Sequence, residues 1–115
     1  MIIITSQNKV SLSALKEMAE KMFGNLVKAV VDVEKEVMAI DGELHADEQA
    51  LLLENGSQQQ NIWGINIYPD KQGRNLIELD SVINIRPLQQ NRSRGVENKE
   101  TQRKISEIVN KLIEK

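Results

Sequence analysis

Two runs of alternating residues, 62–69 and 76–87, constrain the fold of this chain more than any other feature. In both runs apolar residues recur at every second position, which is typical of β-strands with one face in a core and the other in water. The connector 70–75 contains Gly73 where a turn would need a positive φ, and Pro69 and Pro87 lie at the strand ends. The sequence therefore predicts a β-hairpin at the centre of a sheet. Its core face would carry Trp63, Ile65, Ile67, Ile77, Leu79, Ser81, Ile83 and Ile85.

The rest of the chain supplies further strands and amphipathic helices. Ser11 and Asn98 have the side chains that N-caps prefer, and Gly24 and Gly56 are expected to end the helices that precede them. The segment 46–54 contains helix formers throughout and is predicted to be a helix, although three consecutive leucines within it would also suit a buried strand. Strands are predicted at 2–5, 26–33 and 37–40, and helices at 12–23, at 46–54 and after Asn98.

This element order, βαββαββα, predicts an α+β fold. Helices with apolar stripes need a sheet face to cover, so we expect a two-layer sandwich in which a mostly antiparallel sheet has its helices on one face. The chain has 115 residues and a mass of 13.0 kDa, which fits a single α+β domain over residues 1–115. The other face of the sheet is expected to be exposed to water.

Composition excludes several classes of function. A formal net charge of -2 and a pI near 5.5 argue against a dedicated nucleic-acid binder, because binding phosphates requires a basic field. With no cysteine the chain forms no disulfide, and no apolar run approaches the roughly 20 residues of a membrane span, so we expect a cytoplasmic protein. No P-loop or G-x-G-x-x-G motif indicates a nucleotide cofactor.

The only histidine of the chain, His45, lies among carboxylates. Glu43, Asp47 and Glu48 are its neighbours in the sequence. Imidazole with carboxylates suits a divalent metal, for which His45, Asp47 and Glu48 are the candidate ligands. The same group suits general-base catalysis, for which His45, Asp47 and Glu43 are the candidates. The simpler interpretation is that the acids decorate a helix N-terminus and His45 is a turn residue.

A second candidate site is the polar face of the predicted hairpin and its neighbours. Amides, carboxylates and an arginine on adjacent strands would form a polar binding surface. Water-facing sheet surfaces commonly carry such residues without a function, but a glycine at 64 and an asparagine at 84 oppose strand propensity and need a reason. The candidate binding residues on this face are Asn66, Asp80, Asn84 and Arg86, with Asp32, Tyr68 and Glu78 beside them.

A third candidate site is an arginine loop before the last helix. Arg92 and Arg94 lie there, and Arg86 ends the preceding strand. Guanidinium groups near the free amides of a helix start would bind phosphate or another anion. The alternative is a solvated loop whose arginines pair with nearby acids such as Glu78, Asp80 or Glu97.

Several segments resemble a family of small prokaryotic proteins that is catalogued only as a domain of unknown function. The resemblance covers most of the chain and implies no activity and no catalytic residues. It is carried by Gly42-Glu-Leu-His-Ala-Asp47, Glu54-Asn-Gly-Ser57, Trp63-Gly64, Ile83-Asn-Ile-Arg-Pro87 and Asn91-Arg-Ser-Arg94.

These candidate sites support three hypotheses about function. The first is a small binding or regulatory module that recognises an anionic ligand or an acidic partner surface through its polar sheet face and arginine loop. The second is a metal-dependent hydrolase, of the phosphoesterase kind, that uses His45 and nearby carboxylates. The third is a homodimer that uses the polar sheet face as its interface.

Overall fold

The computed structural model describes all residues, 1–115, as a five-stranded antiparallel sheet with three helices and a small second sheet. The strands are β1 (Ile2–Ile4), β2 (Val10–Ser11), β3 (Val27–Asp32), β4 (Val37–Ile40), β5 (Ile62–Ile67), β6 (Ile77–Glu78) and β7 (Ile113–Glu114). The helices are α1 (Leu12–Met22), α2 (His45–Glu54) and α3 (Lys99–Leu112). The large sheet has the order β1-β4-β3-β5-β6, and β2 pairs with β7 in parallel. The predicted α+β class is therefore confirmed.

The helix ends follow the local sequence signals. Ser11 Oγ accepts the Ala14 N–H at 3.0 Å and Asn98 Oδ1 accepts the Thr101 N–H at 2.9 Å, so both predicted N-caps are confirmed. Gly24 has a φ of 92° just after α1, which is the left-handed conformation that a C-terminal glycine supplies. The segment for which a strand was the alternative is helix α2.

The main core lies between one face of the sheet and helices α1 and α3. Alternate residues of β3 and β5 point into it, as the period of the sequence predicted. From β5 these residues are Trp63, Ile65 and Ile67. Helix α3 contributes Ile105, Ile108, Val109 and Leu112, all buried, which accounts for its strong apolar stripe.

The opposite face of the sheet is covered rather than open to water, which corrects the prediction of a two-layer sandwich with helices on one face. Leu52 of α2 packs there against Val30, Ala39 and Ile62. Asp32, predicted to face water, is 0% exposed, and its carboxylate accepts hydrogen bonds from two backbone N–H groups and from the Ser57 hydroxyl. Helix α2 therefore forms a second, smaller apolar layer with this face of the sheet.

The second half of the central hairpin is much shorter than predicted. Its pairing with β5 ends after β6, and the chain then turns through a short 3-10 helix, Val82–Asn84. Ile83, predicted for the main core, packs instead against the cluster on the opposite face. The alternation over 79–85 therefore does not describe a strand.

Gly64 and Asn84 are both required by the contact between β5 and this irregular segment. A Cβ atom on Gly64 would lie 2.5 Å from the Ser81 Cβ, so only glycine allows the 81–84 turn to lie on β5. The Asn84 side chain accepts the Gly64 N–H at 2.8 Å and donates to the Gly64 carbonyl at 2.9 Å. Its amide thus takes the place of a neighbouring strand's backbone.

The helices also bear on membrane insertion. None of the three is both long enough and apolar enough to cross a bilayer.

Candidate functional site

A cleft of about 430 Å³ opens on the α2 face of the sheet. We call it the polar cleft. Its polar side chains come from five separate segments of the chain: Lys28, His45, Asn66, Asp80 with Ser81, and Arg94. Its apolar wall includes three residues that are more than a third exposed, Phe23, Leu44 and Val82. Pockets that combine apolar walls with a few converging polar groups are the usual form of small-molecule sites.

His45 is the first residue of α2 and borders the cleft. Its Nε2 atom lies 2.7 Å from the Ile65 carbonyl oxygen, which is an acceptor, so Nε2 carries the proton. Burial lowers the pKa of His45, and this hydrogen bond opposes the shift only in part. The imidazole is therefore neutral at pH 7. Its Nδ1 atom is a free acceptor, since it has no protein partner and is not among the buried unpaired atoms.

Asp80 and Arg94 form an ion pair at the edge of the cleft. Arg94 Nε donates to Asp80 Oδ1 at 2.7 Å, and its Nη2 donates to Oδ2 at 3.3 Å. The hydrogen bonds from Arg94 lower the pKa of Asp80, so the carboxylate is ionised at neutral pH. Arg94 Nη1 makes no hydrogen bond within the protein and remains a free donor.

Lys28 is the cation of the cleft that has no carboxylate partner. Its Nζ atom lies 4.8 Å from the centre of the Phe23 ring, and no acid lies within ion-pair distance. Lys28 faces Asn66 across the β3–β5 pair. The ring face attracts the ammonium group without supplying a negative charge that would neutralise it.

Asn66 lies on the floor of the cleft and is only 7% exposed. Its Nδ2 atom donates to Glu78 Oε1 at 2.9 Å and to the Asp80 carbonyl at 3.4 Å, which fixes the orientation of the amide. The Oδ1 atom is buried and has no partner. Because buried acceptors are nearly always paired, this atom is the most unusual feature of the cleft.

The other members of the histidine cluster lie elsewhere. Glu43 and Asp47 are exposed and do not line the cleft. Glu48 is fully buried under α2, where its Oε2 atom accepts the Gly42 N–H at 2.9 Å. No group of three or more His, Cys, Asp or Glu side chains is arranged to hold a metal ion. The candidate metal ligands His45, Asp47 and Glu48 are thus neighbours in the sequence, but their side chains do not converge on one point.

The arginine loop does not bring its three arginines together. Arg86 stacks on the Trp63 ring, 4.1 Å from its centre, and donates to the carbonyls of Gln59 and Ile62. Arg94 pairs with Asp80 in the polar cleft, and Arg92 is exposed. Arg86 therefore holds the start of β5 in place, and only Arg94 reaches a cleft.

The free amides of this loop are occupied by the protein's own carboxylate. Glu97 Oε2 accepts the N–H groups of Arg92 at 2.7 Å and Ser93 at 2.9 Å. These two hydrogen bonds lower the pKa of Glu97. These two amides of the loop are therefore occupied by an acid of the protein itself.

Two asparagines that adjoin the cleft are buried supports and do not line it. Asn84 is 0% exposed and donates to the Arg94 carbonyl at 2.9 Å as well as pairing with Gly64. Asn91 is 3% exposed, donates to the carbonyls of Asn84 and Gly95, and accepts the Glu97 N–H at 2.8 Å. Together they hold the 84–97 segment against the sheet, which places Arg94 at the cleft.

Four of the six polar residues of the cleft were predicted from the sequence as site residues, and Lys28 and Ser81 were not. For Lys28 a signal was present, because it is the only cation of β3, a strand that is apolar apart from Lys28 and Asp32. The structural roles of Asn91 and Glu97 left no comparable signal, since loop asparagines and a glutamate before a helix are common.

Comparison with known proteins identifies the family. Neither the curated proteins nor the solved structures include a match to this chain. A family model described as "Protein of unknown function (DUF5674)" matches residues 2–112, which include every polar residue of the cleft. Since the match spans nearly the whole chain, as the resemblance predicted, the protein belongs to the DUF5674 family.

Proposed function

We propose that the protein is a binding module for a small anionic ligand, and that the ligand binds in the polar cleft. The observation that carries the proposal is Lys28, a half-buried cation that lines the cleft without an acidic partner. Arg94 Nη1 adds a second free donor. Charge-assisted hydrogen bonds of this kind are the strong ones in anion recognition.

The first turn of α2 supports the same proposal. Its N-cap residue, Leu44, has no side chain that can accept a hydrogen bond, and Leu44, His45 and Ala46 all line the cleft. Uncapped amides and the positive end of the helix dipole favour an anion at this position. The apolar wall leaves room for an organic group attached to the anion.

The proposal is tested by titrating inorganic phosphate into the protein at constant ionic strength and following backbone and side-chain amide resonances by NMR. We expect saturable shifts at residues 44–46 and at the Asn66 side-chain amide. Lys28→Met, which removes the charge but keeps the length of the side chain, should weaken binding about tenfold or more.

Arg92→Met is the matched control, because Arg92 belongs to the arginine loop and does not line the cleft. It should leave the affinity unchanged. If Arg92→Met weakens binding and Lys28→Met does not, the anion binds at the arginine loop and the proposal fails. Shifts that do not saturate would also reject it.

A second candidate function is hydrolysis of a phosphoester with His45 as the general base. It is favoured by one observation, the neutral imidazole whose Nδ1 is free while Nε2 is fixed on the Ile65 carbonyl. Turnover of p-nitrophenyl phosphate that His45→Phe abolishes would support it. If phosphate binds but the ester is not hydrolysed, only the proposed binding function is supported.

Three expectations from the sequence stay predictions. An acidic protein surface is a second type of anionic partner for the cleft. A homodimer also stays a prediction, but the polar sheet face on which it was placed is now seen to be covered largely by α2 and the 81–84 turn. The cytoplasmic location rests on the cysteine-free sequence.

A further inference from the structure

The polar cleft contains more hydrogen-bond acceptors than an anion-binding site needs. Asn66 Oδ1 is buried without a partner, and the two hydrogen bonds of Nδ2 prevent the amide from turning over. His45 Nδ1 is a second acceptor without a partner. The Asp80 carboxylate is a third, since each of its oxygens receives only one hydrogen bond from Arg94.

An anion without hydrogen atoms would leave these acceptors unpaired. Its oxygens would accept hydrogen bonds from Lys28 and Arg94, but the anion would have no hydrogen atom to donate to the lone pairs of Asn66 and His45. A buried acceptor that stays unpaired costs about 1–3 kcal/mol, so a ligand that pairs it is favoured by about that amount. An anion that carries its own O–H group has no such conflict, because it accepts from the cations and donates to the acceptors.

We propose that the polar cleft selects an oxyanion that carries an O–H donor, namely hydrogen phosphate or a protonated phosphomonoester, over a fully deprotonated oxyanion such as sulfate. This inference rests on the proposed function of the same cleft. Lys28 faces Asn66 across the strand pair, so the ammonium donor and the Asn66 acceptor lie on the same side of the sheet.

The test compares phosphate and sulfate, two tetrahedral anions of similar size, at pH 7 and equal ionic strength with the same NMR readout. Phosphate at this pH retains at least one O–H group and sulfate retains none. We expect phosphate to bind the wild-type protein at least about tenfold more tightly than sulfate, which corresponds to about 1.4 kcal/mol for one unpaired acceptor.

Asn66→Leu tests the assigned acceptor directly. It should weaken phosphate binding and leave sulfate binding nearly unchanged, so that the ratio of the two affinities falls toward one. A merely structural loss of the cleft would weaken both anions together. If Asn66→Leu does not fold, His45→Phe tests the second acceptor by the same ratio, and the wild-type ratio by itself still decides the proposal.

Phenyl phosphate distinguishes a phosphomonoester ligand from free phosphate. It is used at about pH 6, because the second pKa of a phosphomonoester lies near 6 and a large share of the ester then keeps its O–H group. Tighter binding than inorganic phosphate would identify an ester whose organic group contacts Phe23, Leu44 and Val82. Equal binding would identify the free ion.

Two results would overturn the inference and are distinguishable. If phosphate and sulfate bind equally and Lys28→Met weakens both, the proposed anion site stands but the selectivity fails. If neither anion binds in the cleft, the inference and the proposed function fail together.

Discussion

Replacing the buried Glu48 with glutamine should stabilise the protein near neutral pH and flatten the pH dependence of its stability. The Glu48 side chain is 0% exposed, and its Oε1 atom has no partner. Burial raises the pKa of Glu48 to about 9, and the Gly42 hydrogen bond offsets this only in part. The carboxyl group is therefore protonated in the native protein at pH 7.

The sign and the size of the effect follow from the pKa values of the two states. An unfolded glutamate has its ordinary pKa of 4.5, so between pH 4.5 and about 9 the native state holds a proton that the unfolded state has released. The free energy of unfolding therefore falls as pH rises through this interval, by about 1.4 kcal/mol per pH unit. At pH 7 the accumulated cost is about 3 kcal/mol, and below pH 4.5 it disappears because both states are protonated.

Urea unfolding at several pH values between about 5 and 8 measures this cost. Glu48→Gln keeps an oxygen that can accept the Gly42 N–H and cannot ionise. The stability difference between variant and wild type should grow by about 1.4 kcal/mol per pH unit, whereas any fixed cost of the new amide group is the same at every pH. Glu54→Gln, an exposed site at the other end of α2, should show no such slope. Parallel curves for Glu48→Gln and wild type would refute the argument.

Three further substitutions test the packing around the cleft. Asn84→Ala should cost about 2–4 kcal/mol in urea unfolding, because it leaves the buried N–H and carbonyl groups of Gly64 without partners; a loss no greater than that of the exposed Glu78→Ala would contradict this. Gly64→Ala should cost about 1–3 kcal/mol by overpacking, and unchanged stability would mean that the 81–84 turn does not lie on β5. Arg86→Lys should change the fluorescence of Trp63, the single tryptophan, since a lysine does not reproduce the planar stack; an identical spectrum would count against that contact.

The sequence predicted the regular parts of the fold because their physics is local. The capping side chains, the glycine after α1 and the alternation of β5 each depend on a few neighbouring residues. The placement of α2 on the opposite face was not predictable in this way. Its hydrophobic pattern is weak. The apolar residues with which it packs belong to strands that are buried on both faces, and in such strands the sequence pattern does not show which face a helix covers.

The candidate site was predictable in composition but not in position. His45, Asn66, Asp80 and Arg94 were each recognised, yet they were divided among three separate clusters. Their convergence depends on where the chain leaves the sheet after β6, which is a tertiary property. Arg86 and Arg92 were assigned to the same anion site as Arg94 because sequence proximity does not show that one guanidinium stacks on Trp63 while another is exposed.

The early end of β6 is what creates the polar cleft. In the register of β5 and β6, Asn66 is opposite Glu78, so a strand that continued would have placed Asp80 opposite Gly64 and closed the sheet edge with backbone hydrogen bonds. The chain instead turns at Ser81, whose N–H donates to the Arg94 carbonyl at 2.9 Å, while the Asn84 amide takes over the pairing of Gly64. This turn leaves Asp80 and Arg94 beside Asn66 at a gap between α2 and the sheet. Gly64 and Asn84, which oppose strand propensity, therefore shape the site without lining it. They allow the chain to leave the sheet after β6, and the cleft forms at that point.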